Sequence, residues 1–452
     1  MSVQELKRSL STWDVFVIAV GQIIGAGVVA LTGIAIGMTG PSVVFAYPAA
    51  AVLVLVVTLL IMMAGSILPV TGAYYTWTAR LAGGWLGSMI LSLTLLASIS
   101  LSLYGSSFGL YLNPIFPILS VNQWGIAIII LLFFANLFGL KIASRVQMLL
   151  VATLLSALAI YAGFAMPEVQ AQRLEPWLPE GWIGFITAVF LLKFATSGAY
   201  MVVGISGEMH NPKRVIPLVM TMATIGVACL YAFVALGSVG TLDWRAMINQ
   251  PLTVAGEVFM PGWALTYFVI FGAGLAICTT LNSQFIQLPR TFIVASWDNL
   301  LPSWVAQLNR HGAPYILLVV MLIVGVLPLI ADLDIGTIAR AATISATFPA
   351  FIVYWAVTKI PTQYPEAYAQ SAFNFRPLTL WLLFAISQFA GVVGVVFLAE
   401  DLPSTVVYTL AGWILISLCY YPLRKAFLRR RGIDLDATTA DPHILELSLQ
   451  QK

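Results

Sequence analysis

The chain has 452 residues, 60% of them hydrophobic and only 9% charged, with a mean hydropathy of +0.96 and a formal net charge of +3. Soluble domains carry close to a quarter of their residues as charge, so this composition excludes a sizeable soluble domain. What remains is an all-α, multi-span membrane protein whose immediate partner is the lipid bilayer and for which nothing suggests nucleic acid.

A short polar segment (1–12) precedes the first apolar stretch, which is too long, and lacks the small-residue exit, for a cleaved signal peptide. A span takes about 20 apolar residues, and the sequence predicts about twelve transmembrane helices: 13–37, 43–68, 84–112, 123–140, 147–166, 183–207, 216–240, 262–287, 314–331, 336–357, 378–399 and 404–423. The longest polar stretches are 288–313, 358–377 and the tail after Leu423. With the N-terminus inside, Lys7, Arg8, Arg80, Lys141, Arg145, Lys213, Arg214, Arg290, Arg310, Lys359, Arg376 and the run Arg424–Arg431 all fall in or beside cytoplasmic segments. The outer loops are mostly acidic, with Asp243, Glu257, Asp332, Asp334, Glu400 and Asp401 among their charges. This sorting follows the positive-inside rule and predicts cytoplasmic termini in a bacterial inner membrane. The basic run reads most simply as a lipid-headgroup and topology anchor.

The first span contains Gly21-Gln22-Ile23-Ile24-Gly25-Ala26-Gly27. Small residues of this kind let helices pack closely. Equally, Gly25 and Gly27 lower the cost of leaving helical geometry, and a helix broken at mid-membrane offers bare N–H and C=O groups to a substrate. The sixth span carries a second candidate break, Phe194-Ala195-Thr196-Ser197-Gly198-Ala199-Tyr200. Interrupted helices at corresponding positions five spans apart point to an inverted repeat, with halves at 13–166 and 183–357, two further spans at 378–423 and a tail at 424–452.

Ionisable groups within spans are costly and count as functional hypotheses. Lys193 lies one turn before the second break with no carboxylate at similar depth, either as a proton-coupling or anion-binding group or as a side chain snorkelling outward. Arg340 lies near Asp332 and Asp334 and is expected to pair with them; Arg80 and Glu208 are expected to form a cytoplasmic latch. Ser98, Ser102 and Ser106 share one helix face and read as inter-helix glue, while Ser107 and Asn282 are candidate cavity residues. The three cysteines and three histidines form no metal or disulfide pattern. No paired carboxylates or nucleophile–base motif appear in the spans, which points away from an enzyme, and no ring of polar residues suggests a channel.

Four segments together resemble the amino acid–polyamine–organocation transporters, and bacterial amino acid permeases and exchangers in particular. They are Gly21–Gly27; Gly72-Ala73-Tyr74-Tyr75-Thr76-Trp77 with Gly83, Gly84 and Gly87; Glu208-Met209-His210-Asn211-Pro212-Lys213-Arg214-Val215-Ile216-Pro217; and Asp298-Asn299-Leu300-Leu301-Pro302 with Gly312-Ala313-Pro314. The resemblance covers roughly 10–425. It implies a five-plus-five inverted-repeat fold with broken helices 1 and 6, plus helices 11 and 12, and an amino acid substrate held between the breaks. Ile23 would then offer a carbonyl to an α-ammonium. Gly25, Ala26 and Gly27 would present backbone to an α-carboxylate, and Phe194, Ala195, Thr196 and Ser197 would complete the site, with Phe194 as gate or wall. Ala26 stands where family members often carry serine, so one hydroxyl donor is missing.

The resemblance also implies a coupling site. Ala276, Thr279 and Thr280, with carbonyls of Gly21 and Ile24, resemble a sodium-binding oxygen set, while span 5 has Gln147 and no lysine where many relatives carry one. Sodium symport, proton symport and exchange stay open, no other cofactor is implied, and the sequence is silent on oligomeric state. A cavity without acidic side chains disfavours polyamines and suits a small neutral amino acid, or an anionic one if Lys193 or Arg340 faces it.

Overall fold

The computed structural model describes residues 9–113, 116–333, 335–399 and 404–441. Lys7, Arg8, Asp334, Glu400, Asp401 and the side chain of Arg340 lie outside them, so the pairing expected of Arg340 does too; Asp332 accepts a hydrogen bond from Asn122 Nδ2 at 2.6 Å.

The described chain is helical. In order it forms α1 (Thr12–Ile23), α2 (Ala26–Thr39), α3 (Val43–Ile67), α4 (Ala73–Ala82), α5 (Gly84–Ala97), α6 (Ser100–Leu112), α7 (Val121–Leu137), α8 (Leu140–Ala165), α9 (Gly181–Thr196) and α10 (Pro212–Thr241). It continues with α11 (Leu252–Phe259), α12 (Gly262–Tyr267), α13 (Leu275–Trp297), α14 (Tyr315–Ile330), α15 (Ile335–Val357), α16 (Ile360–Gln363), α17 (Pro365–Ala369), α18 (Pro377–Ala399), α19 (Ser404–Arg429) and α20 (Leu435–Ala440). Six helical stretches among the described residues are long and apolar enough to cross a membrane, and Thr12–Ile23, Val121–Leu137, Tyr315–Ile330 and Pro377–Val393 are shorter apolar helices.

Local chemistry starts these helices where they start. Ser11 Oγ accepts the Asp14 N–H at 3.2 Å and the Asp14 carboxylate accepts the Ser11 N–H at 2.9 Å, a reciprocal cap that opens α1. Ser120 and Gln123 repeat the device at α7. A π-helical segment, Phe268–Gly274, joins α12 to α13.

The helices run between two faces. On one, here the α4 face, Leu10 bridges to Met209, and the α3–α4 turn is bonded to the segment after α9 through Gly72 N to Gly204 O at 2.8 Å and Ser206 Oγ to Val70 O at 2.7 Å. On the other, Gly40 lies against Pro179 and Trp244, and Asn249 N donates to Gly33 O at 3.1 Å. The helices α3 and α10 pack along each other at the centre, closed by the Tyr47–Tyr231 ring contact at 5.2 Å.

Several expected boundaries are corrected: α8 begins at Leu140 rather than near 147, α19 runs on to Arg429 rather than ending near 423, and the eighth span is longer than expected. The eighth apolar stretch ends near 287, but α13 continues to Trp297 because Leu288, Arg290, Phe292, Ile293 and Val294 are buried against neighbouring helices rather than exposed in a loop. The basic run after Leu423 is also more than a lipid anchor: Arg424 donates to the Asn299 carbonyl and Lys425 pairs with Asp436.

Candidate functional site

Both expected breaks are present, and they face each other. After α1, Ile24 (φ −80, ψ 96) and Gly25 (φ −126, ψ −152) are extended, and α2 starts afresh at Ala26. After α9, Ser197 is extended and Gly198 adopts φ +141, ψ −34, followed by a 3-10 segment over Ala199–Gly204. A Cβ on Gly198 would sit 2.6 Å from the Gln22 carbonyl oxygen, and one on Gly27 would sit 2.9 Å from the Ala195 Cα. Both glycines therefore permit an approach of backbone to backbone that no other residue allows.

The broken ends carry the chemistry. The first N–H groups of a helix and the last carbonyls of one lack intrahelical partners. At Gly25, the N-cap of α2, no side chain supplies a cap, although the residue is buried. A buried, uncapped helix start concentrates N–H donors and the positive end of the dipole on one spot, which suits a carboxylate. The ends of α1 and α9 bring carbonyls to the same gap, which suits an ammonium. Ile23, Gly25, Ala26, Gly27, Ala195, Thr196 and Ser197 are thus brought to one place. Phe194 lies beside it with half its surface exposed.

Next to the first break, α13 supplies two hydroxyls. Thr279 Oγ1 donates to Ile24 O at 3.0 Å or Ala276 O at 2.7 Å; Thr280 Oγ1 lies 3.2 Å from Gly21 O and 3.3 Å from Ile24 O. The five expected oxygen donors therefore converge, and an all-oxygen set with no nitrogen fits a hard cation.

Behind them runs a buried amide chain that sequence reasoning missed. Asn136 Nδ2 donates to Asn282 Oδ1 at 2.8 Å, Asn282 Nδ2 to Gln147 Oε1 at 2.8 Å, and Gln147 Nε2 to Thr279 O at 3.1 Å and Ser283 Oγ at 2.9 Å. Asn282 is thus committed to this chain rather than to a cavity. A Cβ on Gly21 would collide with the Gln147 amide, so that glycine makes room for it. Only the spacing of polar residues within apolar spans hinted at the chain.

The expected Arg80–Glu208 latch is not formed; Glu208 has its partner on α13, and Arg80 has its partner just past the end of that helix. Arg80 and Asp298 make a two-pronged pair at 2.5 and 2.6 Å, and the Tyr75 hydroxyl donates to Asp298 at 2.7 Å. Glu208, its carbonyl holding the Ser9 and Leu10 N–H groups, accepts from Arg290 Nε at 2.9 Å. The physical reason is reach: α4 abuts the end of α13, whereas Glu208 meets α13 two turns earlier. Lys193 is half-buried and has no side-chain partner among the described residues. Of the serine stripe, Ser102 acts as the expected inter-helix glue, donating to the Gly325 carbonyl of α14 at 2.8 Å, whereas Ser98 bonds back to Thr94 O at 3.1 Å and Ser106 Oγ has no partner among the described residues. A tyrosine contact, also missed, follows the second break: Tyr74 stacks on Tyr200 at 6.3 Å between ring centroids.

A helical chain of long apolar segments, with two of its breaks facing each other, defines a multi-pass membrane protein. The amino acid permease family matches this chain over residues 10–419, and the chain belongs to that family. Among its relatives, a branched-chain amino acid permease of Bacillus subtilis (strain 168) is 24% identical, covering 69% of this chain and 72% of the relative. A branched-chain amino acid permease of Lactococcus lactis subsp. cremoris is 24% identical over 70% and 75% of the two chains. A methylthioribose transporter of Bacillus subtilis is 22% identical over 90% and 94%.

Proposed function

We propose that the protein is a secondary transporter that carries a small neutral amino acid across the bacterial inner membrane by alternating access. The reading includes twelve spans, inverted halves at 13–166 and 183–357, and the α4 face and both termini in the cytoplasm. The buried, uncapped start of α2 opposite the broken end of α9 carries it: a zwitterion supplies the anion that the one needs and the cation that the other accepts. The names of the branched-chain permease relatives support an apolar side chain. The missing hydroxyl at Ala26 leaves carboxylate binding to backbone alone.

The convergence of Gly21, Ile24, Ala276, Thr279 and Thr280 favours sodium symport, with the ion as cargo beside the substrate. In gating, the single-pronged Glu208–Arg290 contact and the two-pronged Arg80–Asp298 pair are both joints that part when the α4 face opens, the two-pronged pair being the harder to part. Uptake of a labelled amino acid panel into proteoliposomes tests the reading, with sodium and proton gradients imposed separately. Sodium-driven uptake of a neutral amino acid supports it; uptake only against internal amino acid replaces symport by exchange; no uptake of any amino acid overturns it. A second reading, an anionic substrate or proton coupling, rests on the unpartnered Lys193. Lys193→Ala then abolishes uptake or removes its pH dependence, and an unaltered pH profile rejects it.

A further inference from the structure

Just past the end of α13, three successive residues present their carbonyls to the last part of the chain, which supplies a donor to each. Thr438 Oγ1 donates to Asp298 O at 2.8 Å, Arg424 Nε and Nη2 donate to Asn299 O at 3.1 and 3.0 Å, and the Tyr420 hydroxyl donates to Leu300 O at 2.8 Å. In the last turn of α13 the Val294, Ala295 and Ser296 carbonyls already have backbone donors, so the hydroxyls and the guanidinium satisfy the turn that follows the helix, with the Arg424 charge beside the negative end of the dipole. The residue capped by Thr438 is the one whose carboxylate holds Arg80 and Tyr75.

The segment that provides these caps is docked. Leu435 and Thr439 are fully buried in spite of their place near the chain end. Asp436 accepts a hydrogen bond from the Tyr421 hydroxyl at 2.7 Å and pairs with Lys425. At the start of α5, a Cβ on Gly84 would collide with Thr439 and Tyr421, so α20 lies directly on bare backbone.

We propose that α20 is a strap that keeps the Arg80–Asp298 joint shut and so limits how often the α4 face opens. Separating α4 from the end of α13 requires Asp298 to move, and Asp298 cannot move while its carbonyl is bonded to Thr438 and the two neighbouring carbonyls are bonded to α19. The strap lies outside the two five-span halves and does not depend on which substrate the protein carries.

Thr78 is a suitable reporter: it is fully buried on α4, two residues before Arg80, and its hydroxyl has no hydrogen-bond partner among the described residues. Thr78→Cys is placed in a chain whose Cys229, Cys278 and Cys419 are replaced by alanine, and the purified protein is reacted with a membrane-impermeant maleimide. The comparison is between the full chain, a chain ending at Ile433, and full chains carrying Thr438→Val or Thr438→Ser. The expected result is labelling about tenfold faster, the effect of roughly 1.4 kcal/mol, for the shortened chain and for Thr438→Val, with the native rate kept by Thr438→Ser. Equal rates in all four overturn the strap; if the shortened chain does not fold, Thr438→Val decides alone. Leucine counterflow in proteoliposomes is run in parallel. Failure of every form to exchange leucine counts against the proposed substrate, while the labelling rates still decide the strap.

Discussion

Replacing Gly198 by alanine tests the second break at its tightest point. At φ +141 an L residue is held in a region that costs about 1–3 kcal/mol. Its Cβ would also lie 2.6 Å from the Gln22 carbonyl oxygen and 3.1 Å from the Ile23 nitrogen, both backbone atoms that cannot rotate away. Overpacking of this kind adds about 1–3 kcal/mol, for about 2–6 kcal/mol in sum. Gly163→Ala is the control: that glycine lies within α8 with nothing within 4 Å of its would-be Cβ, so alanine gains roughly 0.5–1 kcal/mol of helix stability. The assay is the fraction of monodisperse protein left after a heating series in detergent. Gly198→Ala melts well below the native protein and Gly163→Ala at or above it. A native midpoint for Gly198→Ala would refute both the turn and the facing of the two breaks.

Further outcomes follow from the same geometry. The pair Thr279→Val and Thr280→Val removes both hydroxyls from the five-oxygen junction, so any rise in melting midpoint that sodium gives the native protein disappears; a sodium response of native size rejects the site. Arg290→Gln strands the buried Glu208 carboxylate and lowers stability by about 3–5 kcal/mol, while Glu208→Gln with Arg290→Gln recovers much of it; equal losses in single and double variants argue against the pair. Lys425 and then Tyr421, by hydrogen bonding, hold the Asp436 carboxyl below its usual range. A lowered carboxyl stabilises the folded contact above the ordinary value of about 4 and loses that contribution as pH falls through the lower one. Hydrogen exchange of the amides of 435–441, corrected for intrinsic rates, therefore stays slow from neutral pH down to about 4 and quickens only below it; protection lost between neutrality and pH 5 contradicts this.

Features encoded in adjacent residues were legible in the sequence. Gly25-Ala26-Gly27 and Ser197-Gly198 declare their breaks because a Cβ on Gly27 or Gly198 would meet facing backbone, and Gly198 also takes a positive φ. Helix positions follow from apolar stretches long enough to span a bilayer. Tertiary partners were not legible. Arg80 meets Asp298 from 218 positions away, and the motif that includes Glu208 gives no sign of Arg290. Polar residues inside spans misled where burial satisfied them: Asn282 looks like a cavity residue until Asn136 and Gln147 are brought to its two ends. The extension of α13 to Trp297 was hidden because burial by other helices, rather than by lipid, sets hydropathy aside.

The central claim is that the facing breaks bind and carry an amino acid. Counterflow of labelled leucine by the purified protein, native and Gly25→Ala side by side, tests it most directly, since a Cβ at residue 25 would lie 2.8 Å from Thr280 Oγ1 and disturb the break without touching either ion pair. The account predicts accumulation above protein-free liposomes for the native protein and its loss in the variant with the fold retained. Accumulation that is equal in both would contradict it.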